Sequence, residues 1–129
     1  MIYEFEKDAG SGVIFVTLEL ENKYTLKMVL DTAASRTTID TTALYIAGYS
    51  IDNKLETCSV ETANGIIKVK IFEVKSLTAL GRTVHHIPVH VYDFFAHGIL
   101  SDYDGLLGLD FFEDSKLCID LKNNTIEVL

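Results

Sequence analysis

Apolar residues in this chain recur at alternate positions in short runs, and Val, Ile, Thr, Tyr and Phe fill those runs. A period of two sends successive side chains to opposite faces of an extended strand, so the pattern restricts the chain to a mostly β architecture. Residues 13–20 carry it through Val13, Phe15, Thr17, Leu18 and Leu20, and residues 24–30 form a second stretch. Between them Glu21-Asn22-Lys23 reads as a hairpin turn. Further strands are expected over 55–61, 66–80, 84–92, 117–121 and 125–129, with turns at Asn64-Gly65, Gly81-Arg82 and Asn123-Asn124. Asn-Gly is the strongest of these signals, because both residues tolerate the positive φ of a tight hairpin. Pro88, the single proline, falls inside a strand-like run and implies an edge or a bulge there. Helix is scarce. Asp40-Thr41-Thr42 can cap a short helix that runs to Ala47 and ends at Gly48, and 109–114 allows one or two turns more.

At 129 residues the chain is long enough for one domain with a real core and too short for two ordinary ones, so a single domain over 1–129 is expected. The hydrophobic fraction of 48% with 23% charged residues is that of a folded soluble protein. No run approaches the roughly 20 apolar residues of a membrane span. The first ten residues carry Glu4, Glu6 and Asp8 rather than a basic region followed by an apolar one. They do not read as a secretory signal, and a cytoplasmic location is expected. A net charge of -8 without a dense Lys/Arg stripe argues against nucleic acid as a partner. Cys58 and Cys118 are too few for a disulfide framework, and buried free thiols are expected. His85, His86, His90 and His97 lie in or near one strand-like region, but the neighbours His85 and His86 would face opposite sides, so no metal and no cofactor is expected. Phe94, Phe95, Phe111 and Phe112 read as core or interface packing. Ser35 and Cys58 show no activating base nearby in sequence, which argues against a Ser or Cys hydrolase.

The stretch "MVLDTAAS" stands apart. Asp31 follows the apolar Met28-Val29-Leu30 and enters Thr32, Ala33, Ala34 and Ser35, whose small side chains let another segment approach closely. The carboxylate is either presented by the turn or spent on capping its neighbours' backbone N–H groups. A second stretch, Asp104-Gly105-Leu106-Leu107-Gly108-Leu109-Asp110-Phe111-Phe112, reads as a buried strand entering a short amphipathic turn. Asp102 and Asp104, on either side of Tyr103, read as part of a loop that either faces a substrate or is simply solvated.

Together these stretches, with a long hairpin around Asn64-Gly65 between them, resemble the retropepsin-like aspartic proteases, in particular the non-viral cellular and bacterial members. The resemblance runs from about residue 13 to the end. It implies an all-β closed barrel with a hairpin flap and one or two short helices. It also implies an aspartic endopeptidase acting on a peptide or protein substrate. Because the chain has one such Asp turn, the resemblance implies a homodimer in which Asp31 of each copy is catalytic and Thr32 holds the two turns together. Ala33, Ala34 and Ser35 beside the acid, Ala63, Asn64 and Gly65 of the flap, and Leu106 are then the substrate-binding residues. The family usually has glycine where this chain has Ala33. A non-catalytic peptide-binding or dimerisation module with the same fold is therefore the alternative. Arg36 either pairs with Asp110 or stays in solvent.

Overall fold

The computed structural model describes residues 1–51, 55–99 and 101–129. Strands β1 (Ile2–Glu4), β2 (Glu6–Lys7), β3 (Ile14–Leu20), β4 (Tyr24–Leu30) and β5 (Thr38–Asp40) precede the one α-helix among the described residues, α1 (Thr41–Ile46). After it come β6 (Thr57–Thr62), β7 (Gly65–Ala79), β8 (Arg82–Tyr92), β9 (Gly105–Leu107), β10 (Leu117–Asp120) and β11 (Thr125–Val128). Short 3₁₀ turns occupy Phe95–His97 and Leu109–Phe112. Among the described residues no helix is long and apolar enough to cross a membrane.

The apolar pattern of residues 13–20 changes parity at Leu18, and the structure shows which face is inside. Val16, Leu18 and Leu20 are buried against the core with Leu26 and Met28 of the paired strand, in the register Val16↔Met28 and Leu18↔Leu26. Phe15, of opposite parity, is buried on the other face under the Lys27 ammonium, 4.1 Å from the ring centre. The β3–β4 turn is tight: Glu21 and Asn22 both take φ 55°, and the Lys23 amide donates to the Leu20 carbonyl.

Two expected turns sit one residue earlier. Thr62 pairs with Gly65, which leaves Ala63 and Asn64 as the central residues and puts Gly65 at φ 111°. The Thr62 hydroxyl accepts from the Asn64 amide and donates to the Gly65 carbonyl. Likewise Ala79 pairs with Arg82, so Leu80 and Gly81, at φ 52° and 75°, make the β7–β8 turn. The register here is held by buried Val74, Leu77 and Ala79, whose burial would be lost by a one-residue slip. Pro88 pairs with Glu73 on one side, while β5 meets β8 only at His90, Val91 and Tyr92, so the other edge at Pro88 is open. His86, at φ 52°, interrupts the β7–β8 ladder without shifting its register.

Helix α1 ends where expected, with Gly48 at φ 90°. Its expected cap differs. Asp40 makes no side-chain bond to the helix; its Oδ1 accepts the Phe94 amide at 3.0 Å and ties the helix entry to the end of β8.

Eight strands form one sheet in the order β2-β3-β4-β9-β5-β8-β7-β6, and a further β3–β7 pairing joins its two sides. Glu19↔Thr78 and Leu20↔Leu77 make that seam and close the barrel through β3, β4, β9, β5, β8 and β7. Strands β1, β11 and β10 form a separate three-stranded sheet. Inside lie the fully buried Leu18, Met28, Ile39, Leu44, Leu77, Leu107 and Phe111. Burial of each such side chain contributes about 1.5–3 kcal/mol. Strand β9 is threaded between β4, which it pairs in parallel, and β5, which it pairs antiparallel. That insertion needs glycine at its head, because a Cβ on Gly105 would lie inside van der Waals contact of the Thr38 carbonyl oxygen.

Candidate active site

Asp31 sits just past the end of β4, hydrogen-bonded to the last residue of β9. Its amide donates to the Leu107 carbonyl at 3.0 Å, and its carbonyl accepts from the Ala34 amide at 3.1 Å. The Ala34 carbonyl in turn accepts from Leu109 at 2.8 Å, so the turn is pinned to the second motif at both ends. Both readings of the Asp31 carboxylate hold at once. Oδ1 accepts the Ala33 amide at 3.0 Å, and the half-buried side chain faces a cleft. Ala33 is not in the left-handed region, so its methyl imposes no backbone strain on this turn.

Thr37 is the hidden support. It is fully buried, and its hydroxyl donates to Asp110 Oδ1 at 2.8 Å while accepting the Gly108 amide at 3.1 Å. Its own amide lies 2.9 and 3.0 Å from the two oxygens of Asp110, 73 residues away in sequence. Gly108 fits beneath it only as glycine, since a Cβ there would come within 2.8 Å of the Ala34 carbonyl oxygen. The Asp31 turn and the Leu109–Phe112 turn are thus locked by one hydroxyl and one carboxylate. Thr37→Val, which keeps the shape and deletes the hydroxyl, is expected to cost about 2–3 kcal/mol by orphaning buried groups. Urea unfolding with an unchanged m-value reads that loss.

The cleft beside Asp31 has a volume of about 490 Å³. Of the residues expected in a site, Asp31, Ala33, Ala34, Ser35, Ala63 and Leu106 line it. Thr32, Asn64 and Gly65 do not; all three are exposed, Thr32 on the turn and the other two at the hairpin tip. The sequence reading missed Val60, Ile67 and Val69 of the β6–β7 hairpin and His90 and Tyr92 of β8; Phe94, expected in core or interface packing, is buried and also lines the cleft. Alternation along β6 and β7 is the signal that could have found the hairpin residues, because Val60↔Ile67 is one cross-strand pair on the cleft side. Of the four phenylalanines expected in core or interface packing, Phe95 alone departs, being 76% exposed, whereas Phe111 and Phe112 are buried.

His90 Nε2 lies 3.5 Å from Cys58 Sγ. Burial first, and then the positive charge of Arg36, push the His90 pKa down, so the imidazole is neutral at neutral pH. Both cysteines are free and half-buried rather than buried. His85 and His86 are exposed, the latter 3.2 Å from Glu73. Arg36 does not pair with Asp110, whose carboxylate serves Thr37; the side chain is exposed and lines the cleft. Asp104 is structural, with Oδ2 accepting the Lys27 amide at 2.9 Å, and Asp102 pairs with the Lys27 ammonium at 3.3 Å.

Against known proteins, residues 16–111 match the family model described as aspartyl protease. Among curated protein sequences none matches. The structure is similar to the crystal structure of a retropepsin-like aspartic protease from Rickettsia conorii, with a TM-score of 0.69 and 21% identity over 100% of this chain and 94% of that one. The paired motifs around Asp31 and Gly108, the closed barrel and the family match agree, and the chain belongs to the aspartyl protease family with a retropepsin-like fold.

Proposed function

We propose that the protein is a homodimeric aspartic endopeptidase in which two copies each contribute Asp31. The observation that carries this reading is one pinned, half-buried carboxylate per chain at the wall of a cleft large enough for peptide side chains. Two such carboxylates facing each other across a two-fold axis hold one proton between them, the behaviour established for aspartic-protease dyads. They titrate as a pair. The ionised member takes a proton from a water between them, and that water attacks the peptide carbonyl carbon. The protonated member donates to the carbonyl oxygen as the tetrahedral intermediate forms. The β6–β7 hairpin serves as the flap, with Ala63 at its turn and Val60 and Ile67 on its cleft side, closing over an extended peptide and excluding water. Exposed Thr32 is free to meet the partner's turn.

The test is cleavage of a mixed peptide library across protein concentrations that span dimer dissociation. The rate is expected to rise more than linearly with concentration until the dimer saturates. A strictly linear rate from a confirmed monomer would exclude the shared site.

A further inference from the structure

We propose that the cleft selects peptides bearing an acidic side chain, and that Arg36 is the residue that reads it. The proposal rests on the protease reading above and names its substrate class. The cleft wall is largely apolar, with Val60, Ile67, Val69, Phe94 and Leu106 contributing. Among this lining Arg36 is the one residue that carries a positive charge at neutral pH, because His90 is held neutral by burial and by Arg36 itself. An arginine in a protein with a net charge of -8 has many carboxylates available to it. None of the ion pairs among the described residues involves Arg36. Asp110, the partner expected for it, is consumed by Thr37 and the Phe111 amide. Meanwhile the backbone of Arg36 is fixed, with its carbonyl carbon packed where a Gly108 side chain would otherwise go. The result is a guanidinium on an anchored backbone at the edge of an apolar cleft, its five donors not committed to any carboxylate. A planar fork of this kind is the natural partner of a Glu or Asp side chain, which it binds through two parallel charge-assisted hydrogen bonds. Glu61, from the flap strand, also lines the cleft and sets the limit on how much negative charge it accepts.

The experiment compares two peptides, blocked at both ends so that no terminal carboxylate competes, that differ only by Glu or Gln at the position giving the largest preference in a scan. Each is measured for cleavage by the full-length wild-type protein and by Arg36→Gln and Arg36→Lys. Non-cleavable hydroxyethylene versions of both are measured for binding to the same proteins. Wild type is expected to favour the Glu peptide by about tenfold in kcat/KM, mostly through KM, with the preference shrinking as salt is added. In Arg36→Gln the preference is expected to vanish, and Arg36→Lys retains part of it. Cleavage with equal Glu and Gln rates in wild type would overturn the acid preference and leave the protease reading standing. Arg36-dependent binding of the Glu analogue without any cleavage would do the reverse. Loss of both peptides' cleavage in Arg36→Gln, with the ratio of the residual rates unchanged, would make Arg36 structural and overturn the proposal.

Discussion

Asp31→Asn is expected to lower peptide cleavage by about 10³- to 10⁴-fold while the protein stays folded. The reasoning separates the two jobs of this side chain. Oδ1 accepts the Ala33 amide at 3.0 Å, and an Asn keeps a carbonyl oxygen for that bond. The turn itself is held by backbone hydrogen bonds to Leu107 and Leu109, which the substitution does not touch. Thermal unfolding is therefore expected to move by about 2 °C or less. Asn cannot remove a proton from water, so the chemistry is lost with the fold intact. Mixing sharpens the result: excess Asp31→Asn protein added to wild type is expected to suppress its cleavage, because mixed pairs of the proposed dimer carry a single acid. Full retention of wild-type activity in such mixtures would show that each site is complete within one chain.

Gly105→Ala is expected to destabilise the protein by about 3–5 kcal/mol, the largest loss among single methyl additions. The new Cβ would fall inside contact of the Thr38 carbonyl oxygen, 2.9 Å from Met28 Cε and 3.1 Å from Ile39 Cα. Two of those neighbours are backbone, which cannot swing aside as a side chain does. Relief requires β9 to move away from β5, and that movement breaks the antiparallel pairs Thr38↔Leu106 and Ile39↔Gly105. Gly10→Ala is the control, since its nearest atom would be Asp8 Oδ2 at 3.5 Å. It is expected to change stability by about 0.5 kcal/mol or less. Chemical denaturation of the two variants side by side checks the contrast, and equal midpoints would refute the packing argument.

The strands were legible because burial on one face imposes a period of two, and that period survives in β4 and in the 87–91 stretch of β8 without any tertiary knowledge. Asp31 and the Leu106-Leu107-Gly108 segment were legible as a pair. Their meeting required a resemblance, since no local signal says that residues so distant in the chain touch. What stayed hidden shares one cause: the partner lies elsewhere in the fold. Thr37 looks like any polar residue after a turn until Asp110 and Gly108 arrive beside it. Asp40 has the look of a helix cap, yet the Phe94 amide claims it. The turns at Ala63-Asn64 and Leu80-Gly81 were displaced by one residue because cross-strand register outranks local turn preference. Strands β1 and β2 carry too few residues to show any period at all.

The threading of β9 between β4 and β5 also has a consequence in time. The Asp31 amide finds its acceptor on Leu107, and Thr37 finds its carboxylate on Asp110, so neither is satisfied in a chain that has not yet reached those residues. Contacts between such distant segments form late, after their loop-closure entropy has been met by other pairings. During synthesis the early hairpins β3–β4 and β6–β7 can assemble while the acid-bearing turn is still slack. The nascent chain therefore carries its carboxylate unaimed until β9 slots home, and the same insertion that completes the barrel fixes the Asp31 turn.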